Sequence, residues 1–398
     1  MQILRLSLLT LVIAAVAAGE TPKFRTDENK DGSLRWYQPE PGKFAPEKLA
    51  HSIEGELIQM DALEREFVLR VDRNDSQQRS HWDLPLGLSM LPYGSISYQG
   101  SPAALRDIPY GTHLHVLAYA KDEDQVENPM GVEYFDRISP ESEFRHCIRV
   151  EDDFSFRARK RQIWQVDAVD LEKKKLTATL RAKGESVEGK ARVFDLLGST
   201  RVFEGDGFGT LDSLKAGQLV QFNLTWVGQY GPGRIREIWI DEAAQKLATS
   251  QQLEIHRLNI RERGMPGWVD AVDDEKQIVT ITFFDGVDPT LFDDFEKINP
   301  EPLGWPTSGG AKDDLAPKGT IAVARECLMT FDPTNDRKGG NIVATEKVPV
   351  QLGCSGVQIQ VQCGMLLEGY RPTKIVRFFP AIWPFVTIPK EEQFHGRE

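Results

Sequence analysis

Hydrophobic and polar positions alternate along this chain in short runs, which is the pattern of half-buried β-strands. Three such runs, FVLRV, LTATL and IVTITFF, lie at residues 67–71, 176–180 and 278–284. Each run follows a short polar segment, and each polar segment follows another apolar strand. Strand, polar turn and strand together predict a β-hairpin. The residues that begin the three turns are taken as repeat anchors: Asp61, Asp170 and Asp273.

A second sequence segment recurs downstream of each anchor. It contains spaced apolar residues and a glycine, followed by a run in which apolar and polar residues alternate. Glycine adopts the positive φ of a tight turn without steric cost, so the segment predicts a turn that leads into a strand. The anchors and glycines are 50, 47 and 46 residues apart. Two recurring segments in constant order predict three tandem modules. The glycines are Gly111, Gly217 and Gly319.

Each module has room for five or six strands, which predicts a mainly β protein of three small OB-like barrels. Barrel closure removes exposed strand edges. We assign the β-modules to residues 51–137, 162–240 and 265–398, the last with an insertion and a C-terminal tail.

Two connectors are predicted between the modules, at residues 138–161 and 241–264. The second reads as a helix, because neither proline nor glycine interrupts it before Gly264. In the first, the acidic run VEDD at 150–153 precedes the basic run RARKRQ at 157–162. Their opposite charges indicate a solvated, salt-bridged surface.

The N-terminus has the layout of a secretory signal peptide, predicted at residues 1–18. Arg5 precedes an apolar run, and small residues follow it. The run, at about 13 residues, is shorter than the roughly 20 that span a bilayer. Residues 19–50 are predicted to be a polar leader, and no other stretch is apolar enough to form a transmembrane segment. We expect export to the periplasm or the exterior.

A formal net charge of −12 argues against nucleic acid as a partner. We expect an unknown protein or glycan of the cell envelope instead. Exposed aromatic side chains could form a platform for such a ligand, although packing in a core explains aromatic residues more often. The candidate aromatics are Trp82, Tyr93, Tyr98 and Tyr230.

The chain resembles an uncharacterised family of exported bacterial proteins with tandem OB-like small β-barrel repeats. Three features carry the resemblance: residues 91–115, the pentapeptide VDAVD at 166–170 and 269–273, and residues 366–380. The resemblance implies export and implies no particular activity.

His113 and His115 are candidate metal ligands. Residues two apart on a strand point to the same face, and such pairs occur in metal sites. No third ligand is visible at a suitable spacing, so a partly solvated barrel face remains the alternative. A calcium or transition metal ion is the cofactor that this pair, or the site below, would hold.

A second candidate metal site lies in the leader, in the segment DENKDGSL at residues 27–34. Asp27, Asn29 and Asp31 match the first ligands of a calcium loop. Gln38 stands where such a loop has a bidentate glutamate. A polar leader without an ion is the alternative interpretation.

The sequence favours a non-catalytic binding or envelope-associated structural protein over an enzyme. The paired aspartates of VDAVD fall at hairpin ends, where an aspartate bonds nearby backbone amides, and no nucleophile motif is present. The alternatives are a secreted hydrolase with a site between modules, or a metal-binding module using His113 and His115.

The four cysteines leave the disulfide state open, since export permits disulfides. Residues 354–363 read as one continuous strand, which would hold its two terminal sulfurs about 30 Å apart at ~3.3 Å per residue. The cysteines are Cys147, Cys327, Cys354 and Cys363.

Overall fold

The computed structural model describes residues 44, 47–72, 85–120, 145–227, 231–296, 319–324, 337–367, 369–372 and 374–383. The protein is mainly β, as the alternation predicts, and its strands close into three small barrels. Two helices connect them, α1 (Asp153–Arg159) and α2 (Glu242–Arg263). Among the described helices, none is long and apolar enough to cross a membrane.

The first barrel contains β1 (His51–Asp61), β2 (Glu66–Val71), β3 (Leu86–Tyr98), β4 (Ser101–Pro102), β5 (His113–Ala120) and β6 (Arg145–Asp152). It closes in the order β1-β2-β3-β6-β5. Strands β3 and β6 are parallel, and the other pairs of the barrel are antiparallel. The two-residue β4 pairs with the end of β3.

The second barrel contains β7 (Gln162–Asp170), β8 (Lys175–Ala182), β9 (Glu185–Ser186), β10 (Arg192–Glu204), β11 (Gly207–Phe208), β12 (Leu219–Val227) and β13 (Gly231–Trp239). It closes in the order β7-β8-β10-β13-β12, and the pair β10–β13 is parallel. Barrels one and two therefore share one topology, as the repeat predicts.

The third barrel contains β14 (Met265–Asp273), β15 (Ile278–Phe284), β16 (Gly319–Ala324), β17 (Arg337–Lys347), β18 (Cys354–Cys363) and β19 (Ile375–Pro380). Six strands close in the order β14-β15-β18-β17-β16-β19. All six pairs are antiparallel, so this barrel differs in topology from the first two. The insertion after β15 begins with a 3-10 turn and α3 (Asp293–Glu296).

Each repeat anchor begins the turn of the first hairpin of its barrel. Asp61 accepts hydrogen bonds from the backbone of its own turn, and Asp170 and Asp273 do the same. Each turn ends on a non-glycine residue with a φ between 52° and 57°. The first strand of each hairpin also carries a β-bulge three residues before the anchor. The bulge residues are Ile58, Asp167 and Asp270.

Two of the three repeat glycines occupy equivalent turns. Gly111 has φ 82° and donates its N–H to Leu57 O at 2.8 Å. Gly217 has φ 90° and donates its N–H to Val166 O at 2.7 Å. Leu57 and Val166 both lie four residues before their anchors, so the strands β5 and β12 join their barrels in the same register.

Gly319 does not have the equivalent position that the spacing predicts. It is the first residue of β16, which pairs with β17 and β19 rather than with the first strand of its barrel. The place of β5 is taken by β19, because Val269 N donates to Lys374 O at 2.9 Å just as Leu57 N donates to Thr112 O. The repeated segment, a turn glycine followed by an alternating strand, specifies only local backbone conformation. It does not specify which strand of the barrel will pair with it.

The structure describes residues 145–161 of the predicted connector at 138–161, and these residues form a connector only from α1 onward. Residues 145–152 form β6 and belong to barrel one, and α1 follows directly. The predicted connecting helix corresponds to α2, which begins after the N-cap Asp241 and ends at Gly264 with φ 85°. The predicted leader also contributes to the folded structure, since Phe44 is 7% exposed.

The described cysteines are buried free thiols: Cys147, Cys354 and Cys363. Cys354 and Cys363 stand at the two ends of β18, as the strand interpretation requires. Burial raises the pKa of the Cys363 thiol to about 12, so it is an inert thiol of the core at neutral pH. Cys327 lies outside the described residues.

Candidate functional site

His113 and His115 lie on the outer face of β5, where barrel one meets barrel two. Their neighbours Leu114 and Val116 belong to the core of barrel one, so the alternation of the strand turns both imidazoles to the opposite side. Both histidines are nevertheless buried, at 2% and 5% exposure. The alternative of a partly solvated barrel face does not describe them. In the register of β1 and β5, His115 stands opposite Glu54.

Asp153, the first residue of α1, joins the two histidines. Its Oδ1 lies 2.9 Å from His113 Nδ1 and 3.0 Å from His115 Nε2. Its Oδ2 accepts a hydrogen bond of 2.9 Å from Leu224 N in barrel two. One buried carboxylate therefore connects β5 of barrel one to β12 of barrel two.

The outward ring nitrogen of each histidine meets a second carboxylate. His113 Nε2 lies 2.9 Å from Asp72 Oδ2, and His115 Nδ1 lies 3.0 Å from Glu54 Oε1. Trp226 Nε1 donates to Asp72 Oδ1 at 3.1 Å and orients that carboxylate from barrel two. Both imidazoles are thus fixed at both nitrogens.

The electrostatics of the cluster favour its charged form. Burial alone lowers the pKa of His113, but the charge and hydrogen bond of Asp153, together with Asp72, outweigh burial and raise the pKa to about 10. The pKa of His115 is also raised, because Asp153 and Glu54 outweigh burial. Burial raises the pKa of Asp153, but the two histidines hold it well below its usual range. The raised pKa of His113 keeps its imidazole protonated at neutral pH.

Helix α1 closes the site. The ring of Phe156 stacks on His115, with centroids 3.7 Å apart and planes 3° apart. Asp152 accepts a hydrogen bond of 2.9 Å from Ser155 N and caps the start of the helix. Asn223 of barrel two accepts a hydrogen bond of 3.0 Å from Phe154 N. The helix therefore holds Asp153 in place through contacts with both barrels.

The donor atoms of His113, His115 and Asp153 all lie within 4.8 Å of one another. Two imidazole nitrogens and one carboxylate oxygen form a donor set that suits divalent transition metals such as Zn²⁺ and Cu²⁺. Ligating histidines almost always donate their other N–H to a carboxylate or carbonyl, which fixes the ring. Glu54 and Asp72 stand in those two positions. The residues present therefore fit such an ion.

The other sequence candidates do not join this cluster. Asp27, Asn29 and Asp31 lie outside the described residues. Asp170 and Asp273 are bound to the backbone of their own turns. Asp167, the paired aspartate of the first VDAVD, accepts a hydrogen bond of 2.6 Å from Thr179 Oγ1 across its hairpin.

The acidic run at 150–153 is not the solvated surface that its charge pattern predicts. Glu151, Asp152 and Asp153 are 3%, 0% and 4% exposed. Arg159 does pair with Glu151 through two bonds of 2.6 Å, as expected of the basic run. The sequence does contain an indication of the helix start. Asp152 is a favoured N-cap residue, and Asp153 and the apolar Phe154 follow it directly.

Two of the candidate aromatic residues are core residues. Tyr93 and Tyr98 are 1% and 5% exposed. Trp82 and Tyr230 lie outside the described residues. The described aromatics of this set therefore form no exposed platform for a glycan.

No family model matches the chain, and no curated protein matches it. Among solved structures, a Cu(II)-bound variant of CusF from Escherichia coli is 20% identical and covers 20% of this chain and 90% of that one. Ag(I)-bound CusF is 21% identical over 20% of this chain and 95% of that one. Apo-CusF from Escherichia coli is 20% identical over 20% and 86%. The TM-score is 0.15 in all three comparisons, and at this level the similarity says nothing about what this chain binds.

Proposed function

We propose that this chain is an exported, non-catalytic binding protein of the cell envelope, and that it binds a divalent transition metal ion through His113, His115 and Asp153. One observation carries the proposal. Each buried imidazole turns one nitrogen toward the shared Asp153 Oδ1 and the other toward a separate carboxylate. In a metal site the nitrogen that faces Asp153 would ligate the ion, and the other nitrogen would donate its N–H to the separate carboxylate, which fixes the orientation of the ring.

The donor set indicates the class of ion. Calcium and magnesium take six or more oxygen ligands, often including water, and they do not select imidazole. Copper(I) prefers cysteine and methionine sulfur. Two imidazoles with one carboxylate favour Zn²⁺, Cu²⁺, Ni²⁺ or Co²⁺, with Cu²⁺ bound most tightly of these.

The proposed ion would also lock two barrels together. Asp153 contacts β5 of barrel one and the backbone of Leu224 in barrel two, and Asp72 of barrel one contacts Trp226 of barrel two. Metal binding that requires both barrels in place stabilises their docking by mass action.

The metal proposal is tested by calorimetric titration of metal-free protein with Zn²⁺. We expect one ion per chain in the wild type and no saturable binding in the double variant His113→Ala, His115→Ala. Asp72→Asn keeps both imidazoles and an acceptor for Trp226, and we expect about 10–100-fold weaker binding, because it removes the carboxylate that orients His113.

His51→Ala is the matched control, since His51 is an exposed histidine at the start of β1. It should bind Zn²⁺ like the wild type. The metal proposal is rejected if the wild type takes up no Zn²⁺, or if the double variant and Asp72→Asn both bind it with wild-type affinity.

Export rests on the apolar run and small residues at 1–18. The mass of the chain recovered from the periplasm or medium should correspond to cleavage after Ala17 or Ala18. Recovery of the full-length chain in the cytoplasm alone would contradict it.

A further inference from the structure

A cavity lies between barrel one, α2 and barrel three, and it shares no lining residue with the cluster around Asp153. Its volume is about 280 Å³. Four arginines line it, although the whole chain carries a net charge of −12. Among the described lining residues the carboxylate is Asp285, which is exposed. The arginines are Arg65, Arg106, Arg263 and Arg377.

Arg377, from β19, is the deepest of the four, at 2% exposure. Its Nη1 donates to Gly264 O at 2.8 Å and to Arg263 O at 3.3 Å, the carbonyls at the end of α2. Its Nε is buried and has no hydrogen-bond partner among the described residues. Arginine stays charged in proteins, so this donor and its charge must be compensated in another way.

The charges around Arg377 are of the same sign. Burial lowers the pKa of Arg377, and the charges of Arg263 and Arg65 lower it further. Arg65 donates to the neutral carbonyls of Leu91, Pro92 and Gly94. Buried cations that face one another are costly unless an anion lies between them.

We propose that this cavity binds a small anion of the carboxylate or phosphate class. The planar guanidinium presents parallel N–H donors that match two oxygens of such an anion. An anion in the cavity would lie among the four arginines and neutralise their converging charges.

The remainder of the lining indicates the size and character of this anion. Ile96, Leu105, Ile260 and Phe284 provide apolar walls. A volume of about 280 Å³ is near the lower limit for ligand pockets. These features suit a compact organic acid or phosphate ester, with its charged end at the arginines and its carbon atoms against the apolar walls.

The test is titration of metal-free protein with sodium phosphate and, separately, with succinate, followed by calorimetry and thermal unfolding. Sodium chloride holds the ionic strength constant. We expect saturable binding of one anion per chain and a melting temperature that rises with its concentration. The two arms decide whether phosphate or carboxylate is preferred.

Arg377→Lys keeps the charge but removes the planar guanidinium, and we expect at least about tenfold weaker binding. Because Arg377 also contacts the end of α2, a second variant, Arg106→Gln, changes an exposed side chain at the same cavity and should weaken binding a few-fold. Arg192→Gln is the matched control, since Arg192 lies in barrel two and is also exposed. It should bind like the wild type.

The histidine double variant His113→Ala, His115→Ala should retain the anion binding, which separates this site from the proposed metal site. The anion site is refuted if neither anion binds more than chloride does. It is equally refuted if Arg377→Lys and Arg106→Gln both bind with wild-type affinity.

Discussion

Two buried histidines, His113 and His256, have opposite protonation states because their neighbours differ. His113 contacts two carboxylates, and its pKa is raised to about 10. His256, on α2, has a pKa lowered to about 4, mainly because burial disfavours its charged form, with Asp288 opposing that effect and Arg257 adding to it. Asp288 N donates to His256 Nε2 at 3.3 Å, which requires that nitrogen to be unprotonated.

His256 predicts a pH dependence of stability. The unfolded chain binds a proton on His256 below a pKa of about 6.5, whereas the folded chain does so only near 4. The stabilisation from burying this neutral histidine is therefore fully present above pH 6.5 and is lost as the pH falls toward 4. Between pH 7.5 and pH 5 this loss is about 2 kcal/mol.

The measurement is the free energy of urea unfolding at both pH values for wild type and His256→Gln. Glutamine keeps an acceptor for Asp288 N but does not titrate, so the variant should lose less stability on acidification by about 2 kcal/mol. Other titrating groups are common to both proteins and cancel in the difference. His51→Gln should keep the wild-type dependence, and equal dependence in His256→Gln would contradict the prediction.

Residue-scale sequence reasoning placed His113 and His115 on one face, since alternation along a strand is local. It did not find Asp153, because that residue lies 40 positions after His113 and reaches it only when β6 and α1 are in place. It also did not find Arg377, because the environment of this arginine is formed by α2 and by Arg65 of barrel one, which are distant in the sequence.

At the scale of elements, the three barrels share one hairpin design. Each first strand carries a bulge, and each turn begins with an aspartate and ends with a residue of positive φ. A bulge bends its strand and increases its twist, which small barrels need for closure. The repeated VDAVD is therefore the bulged end of a strand and its turn.

Gly217 allows an element-scale prediction, since it has φ 90° at the turn before β12. Gly217→Ala should destabilise the protein by about 1–2 kcal/mol, because a Cβ disfavours this backbone conformation. The open space around Gly217 excludes a steric clash as the cause. Thermal or urea unfolding measures the effect.

Gly198→Ala is the control, because Gly198 also has open space but lies in β10 without a positive φ. Its effect should stay within about 0.5 kcal/mol. Equal losses in the two variants would show that backbone conformation is not the cause.

The existence of α2 was predictable from its uninterrupted sequence, but its buried face was not. Ile255 and Leu258 are 49% and 57% exposed. The buried stripe consists mostly of small and polar residues that recur about every four positions, and α2 packs against strands of all three barrels. Its members are Ala244, Ala248, Gln252, His256, Ile260 and Arg263.

At the scale of the whole molecule, two different kinds of joint hold the barrels together. Barrels one and two meet at the polar cluster around Asp153. Barrels one and three meet at an aromatic cluster, in which Phe44 stacks on Trp268 at 4.9 Å and meets Tyr93 edge-on at 5.2 Å. Phe284 completes the cluster, 6.5 Å from Phe44.

Phe44→Ala should uncouple barrels one and three. Truncation of a buried phenylalanine typically costs about 3–5 kcal/mol, and here the cavity would open at the joint. Differential scanning calorimetry should show the unfolding endotherm broadening or splitting into two. Phe208→Ala, at a side chain that is 79% exposed, should change stability by less than about 1 kcal/mol. An unchanged endotherm for Phe44→Ala would contradict this role.

Local sequence pattern specifies the features that depend on neighbouring residues: strands, hairpin turns, the positive-φ glycines of barrels one and two, the connecting helix and the shared face of His113 and His115. Hydrophobic alternation, the residue preferences of turns and the signals of helix ends each involve only a few neighbouring residues. They can therefore be recognised in the sequence. Three other features follow from tertiary packing: the strand that replaces β5 in barrel three, the carboxylates that contact the two histidines, and the arginines that converge on one cavity. These features depend on contacts between segments that are distant in the sequence. Only folding brings such segments within a few ångströms of one another and excludes water from between them.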